Sequence, residues 1–448
     1  MAVDNGWQKH FASLFFPISV LPMVCFRVLF GVIMLWEVGR YFQNGWIDRY
    51  YIQPSFFFTY AGFDWVKPWD GNGMYLHFYI LGLLAGCIAL GLFYRLSMAL
   101  FCVGFLYVFL LDQTNYLNHF YLIILMSFLM IFVPAHTRFS VDMLLRPQLR
   151  ADFAPRWTYW ILVAQLGIVY FYGGLAKLNT DWLHGQPMHL WLSENQDFPL
   201  IGRYFGDMWM AYLFSYGGLL FDLLIFPILL WRRTFLLGLL LAGGFHFTNA
   251  QLFNIGIFPY FMLASLVLFV PSAWWNKFGQ QGTDRIYAVP TKTTTSHRIT
   301  TGFLTLYFAF QLLFPLRHHL YDNNVSWSEE GHMFAWHMKL RDKEVLALQI
   351  TVIDTYSETQ WEVHLPDYLT ERQIQQMSDR PAMLLQFAHH VAAMMEQENG
   401  FEVAGIYAIV VVSLNDHPPA YLIDPRANLA EAEQDFLKTA SWIMPPPS

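Results

Sequence analysis

The chain has 448 residues, 56% of them hydrophobic, 19% aromatic and only 13% charged, against about 25% charged in soluble proteins. Its net charge of -7 and the lack of any long basic run exclude a nucleic-acid partner, and the apolar excess marks a polytopic membrane protein. Cys25, Cys87 and Cys102 fall inside apolar segments without metal or redox spacing, so they read as small core hydrophobes and no metal site is expected.

Apolar stretches of spanning length run over 21–42, 75–94, 96–111, 116–133, 157–176, 208–231, 234–249, 253–270 and 299–316. They predict a bundle of about eight or nine transmembrane helices, residues 1–316, some of marginal length. The apolar run at 11–20 is short and leads straight into the first span, which is expected to act as an uncleaved signal. Arg95, then Arg138, Arg146, Arg150 and Arg156, then Arg232 and Arg233, then Lys277, Arg285, Lys292 and Arg298 occupy alternate connections. The positive-inside rule makes those connections and the N-terminus cytoplasmic. Residues 317–448 then emerge on the opposite, extracytoplasmic side, as in a bacterial inner membrane or an endoplasmic reticulum membrane. They alternate as a hairpin at 345–354 and 360–365, a helix at 370–397, a strand at 405–414 and a helix at 428–439, which predicts a small α+β domain.

Ionisable residues at membrane depth need a reason. Arg27 and Asp222 sit at similar depth and are expected to form a structural ion pair. Lys177 closes the fifth span. Counting back three, four, seven and ten residues places Gly174, Gly173, Tyr170 and Gly167 on its own helix face, bare enough for a neighbouring helix or a flat ring. A lysine there either snorkels to the interface or, desolvated, acts as a base. Asn118 and His119 open the fourth span, and His246, Asn249 and Gln251 close the seventh, all expected near the membrane face that holds Lys177. A lone histidine in a bundle can be purely structural, whereas three polar groups converging on one level favour a pocket. No phosphate loop, HExxH or nucleophile elbow is present.

The text carrying these residues resembles the vitamin K-dependent gamma-glutamyl carboxylase family. The resemblance runs through Phe26-Arg27, Tyr94-Arg95, YVFLLDQTNYLNHFYL from Tyr107, Ser140-Val141-Asp142, IVYFYGGLAKLNTDWL from Ile168, FHFTNAQLFNIGIF from Phe245 and VSLNDHPPAYLIDPR from Val412. It spans nearly the whole chain in order. It implies a membrane lyase that couples oxygenation of a reduced vitamin K quinol, phylloquinol or menaquinol, to carboxylation of protein glutamate, with dioxygen and carbon dioxide as co-substrates. The family's lysine base falls on Lys177 and its supporting histidine on His119. Asn118, Tyr170, Gly173, Gly174, His246, Asn249 and Gln251 are then expected around the quinol. Arg426 is expected on the substrate glutamate, with Arg341 and Lys343 as further clamps or as a solvated strand end. The chain departs from the family's pattern at Ala176, where members often carry a second lysine, and in lacking the cysteines of the animal enzymes. The short form suggests a bacterial-type relative. A quinol epoxidase that never carboxylates protein, or a lipid- or partner-binding protein of the same fold, is the alternative.

Overall fold

A computed structural model describes residues 13–253, 255–275, 294–356, 359–399, 403–435 and 437–447. Lys277, Arg285 and Lys292, part of the charge pattern above, lie outside the described residues. The bundle comprises α1 (Leu21–Gln43), α2 (Gly73–Leu90), α3 (Tyr94–Leu110), α4 (Asn118–Phe132), α5 (Arg156–Ala176), α6 (Met208–Leu230), α7 (Phe235–Leu252), α8 (Phe258–Ser265) and α9 (Thr295–Leu313). Six stretches, α1, α2, α5, α6, α7 and α9 with its 3-10 extension to Leu320, are long and apolar enough to cross a membrane. The apolar helices over α3, α4 and α8 are shorter. Many aliphatic side chains of these nine helices, such as Leu83, Val103, Leu240 and Leu306, remain exposed on the outside of the bundle, as lipid-facing positions must be.

Chain chemistry sets the helix ends. Pro22 enters α1 in its first turn, where its missing N–H costs nothing. Gly91 stops α2 with φ of 66°. A Cβ there would lie 2.5 Å from Nη1 of Arg27, so this glycine is needed for space as well as for conformation. The α5 helix ends on Lys177 itself, and Asn179 caps the next short turn by accepting from the Trp182 amide at 3.0 Å.

That space at Gly91 corrects the expected ion pair. Arg27 is fully buried and donates to carbonyls of Ala135 at 2.8 Å, Phe139 at 2.6 Å and Ala89 at 3.3 Å. Its charge is solvated by backbone at the foot of the bundle, and Asp222 has a different partner. The equal depth expected from the sequence does not hold: Arg27 lies where the end of α2 meets the loop after α4, and Asp222 faces Lys177 at the far end of α5.

Beyond the bundle, β3 (Lys343–Asp354), β4 (Gln360–Glu362), β5 (Val403–Leu414) and β6 (Ala420–Tyr421) form an antiparallel sheet in the order β4-β3-β5-β6; a separate pair, β1 (Pro17–Ser19) with β2 (Phe153–Pro155), ties the bundle's first and fifth helices together. Helices α10 (Glu371–Met377) and α11 (Pro381–Asn399) cover one face of the larger sheet; the single helix expected at 370–397 is broken before Pro381, which cannot continue a hydrogen-bonded run. No helix forms over the described part of 428–439. Asn428 takes the Ile406 amide at 3.0 Å, and the Leu429 amide reaches the Ile406 carbonyl at 2.7 Å. The segment therefore lies as an irregular strap against β5, its backbone groups drawn to the strand in place of a helix.

The two parts are stitched at one end of the bundle. Phe58, from the loop after α1, is buried in the core of the second part, and Trp336, from the connection into β3, is buried in that of the first. Asp181, just beyond Lys177, accepts from Asn415 at 2.7 Å and faces His417 at 2.9 Å. Gln373 of α10 donates to Asp112 at 3.1 Å and to the Phe56 carbonyl at 2.7 Å. The start of α4, the end of α5 and the sheet domain consequently share one level.

Candidate functional site

At that level the bundle and the adjoining second part line a half-open cavity of about 1060 Å³. Asn118, His119, Tyr170, Lys177, His246 and Asn249 all line it, so six positions picked from sequence meet in one space. Gly173, Gly174 and Gln251 are not in its wall. A Cβ on Gly174 would stand 2.7 Å from Leu223, and one on Gly167 would stand 2.7 Å from Phe226. Those glycines let α6 approach α5 closely; the bare face accepts a helix, and the room for a ring is made across from it by Gly217, Gly218 and Gly244. Gln251 is exposed at the last turn of α7.

That close approach brings Asp222 to Lys177. The amine donates to Oδ2 of Asp222 at 2.7 Å and to the Gly173 carbonyl at 3.0 Å, and lies 5.3 Å from the centre of the Trp182 ring. Trp182 is itself held by its indole N–H on the Ser215 carbonyl at 2.8 Å. Lys177 is 6% exposed, which makes it a buried amine and not an interfacial anchor. With a carboxylate beside it, burial without ruinous desolvation becomes feasible.

The histidines differ in their partners. His246 Nε2 lies 2.9 Å from the Tyr170 hydroxyl, while its Nδ1 is buried with no partner among the described residues. When the hydroxyl donates to Nε2 the proton sits on Nδ1, and a hydrogen-bond donor is then left for a ligand. His119 makes no hydrogen bond to a described residue and is oriented by rings, 5.8 Å from Phe258 in a stacked arrangement. Asn118 is more committed, since its Oδ1 takes the Tyr116 hydroxyl at 2.9 Å and its amide donates to the His337 carbonyl at 3.0 Å. Phe221 and Phe245 stack at 3.8 Å and 16° on the adjoining wall.

The residues expected on the substrate glutamate sit elsewhere. Arg426 pairs with Asp424 in its own turn and its side chain is 89% exposed. Arg341 closes on Glu329, and Lys343 reaches the same carboxylate at 3.1 Å as well as the carbonyls of Trp327 at 2.6 Å and Asp379 at 2.9 Å. Burial by itself would raise Glu329, but Arg341 and Lys343 outweigh it and hold the carboxyl well below its usual range. Burial lowers Lys343, against the pull of Glu329. These two cations neutralise a buried acid beneath the sheet and are not free to clamp a ligand.

Sequence reasoning passed over four wall residues with charge: Glu37 and Arg40, paired at 2.6 Å, and Lys339 and Arg372, which come from the second part of the chain. The first pair had a signal, an acid and a base three apart inside an apolar span. The others had none, because only the tertiary fold carries residues 337–339 into the bundle.

Residues 15–274 match the HTTM domain, and residues 296–448 match the lumenal domain of vitamin K-dependent gamma-carboxylase. The apolar helices and the first match make this an integral membrane protein of the HTTM class. Both matches together, covering the bundle and the sheet domain in order, place it in a narrower group: the chain belongs to the vitamin K-dependent gamma-carboxylase family. No solved structure matches it.

Proposed function

We propose that the protein carboxylates glutamate side chains of a protein or peptide, using a reduced vitamin K quinol, dioxygen and carbon dioxide. The observation that carries this reading is the Lys177 amine, buried against Asp222 in the wall of a cavity that also holds His119 and His246. A cavity of about 1060 Å³ is at the upper end of small-molecule sites, about 300–1,000 Å³. Its wall is mostly apolar, with a flat aromatic pair and the unpartnered Nδ1 of His246 as a polar anchor. These features fit a quinol head with an isoprenoid tail.

When bound, the quinol supplies through its oxidation by dioxygen a base strong enough to take the γ proton of glutamate, which no side chain achieves at neutral pH. The protein's own part is to handle the phenolic proton. That proton arrives at Nζ of Lys177. Because Asp222 Oδ2 is 2.7 Å away, the pair accepts one proton in total, whichever of the two atoms holds the first. The proton is that of a phenol, of ordinary pKa about 10, which a neighbouring amine can accept. His246 Nδ1 and the His119 ring are the groups available to hydrogen-bond the quinol oxygens and stabilise negative charge there. Phe221, Phe245 and Trp182 make this wall apolar, which disfavours water that would otherwise compete with carbon dioxide for the deprotonated γ carbon.

The test is purified protein in detergent with reduced vitamin K, a glutamate-containing peptide and labelled carbon dioxide. Label in the peptide together with quinone epoxide is the expected result. Epoxide without label would make the protein a quinol oxygenase, and neither product would leave a binding protein of the same fold.

A further inference from the structure

Four cations reach the cavity wall among the described residues: Arg40, Lys177, Lys339 and Arg372. Two of them face carboxylates in the same wall, Arg40 with Glu37 at 2.6 Å and Lys177 with Asp222 at 2.7 Å. Arg372 rests on neutral oxygens, Oδ1 of Asn115 at 3.1 Å and the Thr114 carbonyl at 3.2 Å. Lys339 has no ion pair within 4 Å and no hydrogen bond among the described residues; Asp342 and Glu194 are near enough to favour its charged form without touching it. Its ammonium lies 4.8 Å from the ring centre of Trp191 and 5.3 Å from that of Phe253. Rings hold a cation in place without neutralising it, and its three N–H donors remain available.

The chain segment that carries Lys339 passes the reacting end of the cavity. The His337 carbonyl accepts from Asn118 at 3.0 Å, next to His119. The Met338 methyl lies 3.2 Å from where a Cβ on Gly173 would stand, and the Gly173 carbonyl holds the Lys177 amine. Residues 337–339 thus bridge the start of α4 and the end of α5. The approach is strained: Phe334, Trp336 and Lys339 have φ of 62°, 61° and 49°. Non-glycine residues adopt such values at a cost that surrounding packing must override, and such outliers cluster at functional sites.

We infer that Lys339 binds the γ-carboxylate of the glutamate to be modified. This rests on the carboxylase reading. Removing a proton from the carbon beside a carboxylate drives a second negative charge onto that group, so a cation there acts on the transition state more than on the bound substrate. It also separates glutamate from glutamine, whose amide offers no charge to the ammonium.

The experiment compares wild type, Lys339→Met and Lys339→Arg in nanodiscs of neutral phosphatidylcholine. Label incorporation is measured against peptide and against quinol concentration, and direct binding of glutamate and glutamine peptides by fluorescence anisotropy. Lys339→Met is expected to raise the peptide KM by about tenfold, equivalent to one lost charged contact, with a larger fall in kcat/KM and less than a twofold change in the quinol KM. Lys339→Arg restores most of it, and the preference for glutamate over glutamine peptide disappears only in the methionine variant. A peptide KM within twofold of wild type overturns the inference. So does a wild-type activity that needs added phosphatidylglycerol and is lost with Lys339, which would assign the ammonium to a lipid headgroup. If wild type incorporates no label, the carboxylase reading fails separately. The anisotropy comparison then still decides Lys339, because equal binding of the two peptides overturns its role.

Discussion

Lys177 and Asp222 meet across 2.7 Å on facing helices, with less than a tenth of either side chain exposed. The contact exists because Gly174 and Gly167 carry no Cβ against Leu223 and Phe226. A helix face without side chains, a close crossing and a buried ion pair are one structural event.

Asp222→Leu is expected to destabilise the protein by about 3 kcal/mol, because it strands an ammonium in an apolar wall. The double variant Lys177→Met with Asp222→Leu should regain most of that loss, since neither charge is left alone. Thermal unfolding in detergent measures both. A double variant no more stable than Asp222→Leu would mean that the two residues do not share an interaction.

Lys177→Ala is expected to abolish both labelled peptide and epoxide. Asp222→Asn keeps shape but removes the proton acceptor behind the amine, so epoxide formation should fall by about 10²-fold, the low end of what a general base contributes. Full epoxide formation by the alanine variant would make Lys177 a structural cation.

Much of this arrangement was legible in the sequence, and what was not has a physical cause. Hydropathy located the long helices because lipid demands apolar length, and the polar residues at their ends located the cavity because ionisable groups at depth are costly. Partners were harder. Arg27 found backbone carbonyls, which sequence does not display as candidates. Arg341 and Lys343 had to be weighed without knowing that Glu329, with φ of 66°, turns back beneath them. Lys339 and Arg372 enter from outside the bundle, so no periodicity within a span points to them. The helix expected at 428–439 failed for a similar reason: Asn428 and Leu429 bind the edge of a strand some twenty residues earlier.

Acid should weaken the junction between the bundle and the sheet domain. His332 and His337 are both pushed down by burial, His337 to about 3 from an ordinary 6.5. The unfolded chain therefore takes up protons first, and stability starts to fall below pH 6.5. Glu329, held low, adds stability that is complete above its ordinary 4.5 and is lost as pH falls through its lower folded value. Asp112, raised by burial to about 6 from 3.8, works the other way between those values. With two histidines against one aspartate, the melting temperature is expected to drop from pH 6.5 to 4.5. His337→Gln should flatten that slope, and an unchanged profile would show that His337 does not stay neutral in the fold.

Two glycines give opposite expectations from the same substitution. A Cβ on Gly174 meets Leu223 at 2.7 and 2.8 Å and its backbone nitrogen at 3.1 Å. Gly174→Ala must push α6 from α5, at a cost of about 1–3 kcal/mol, and it should reduce activity by drawing Asp222 away from Lys177. A Cβ on Gly218 meets Trp182 at 3.7 Å and the Lys177 Cε at 3.9 Å, both ordinary contacts. Gly218→Ala should leave the melting temperature unchanged and yet fill cavity wall beside the amine, raising the quinol KM several-fold. If instead the Gly218 variant unfolds early while keeping wild-type quinol KM, the space beside Lys177 serves packing and not a ligand.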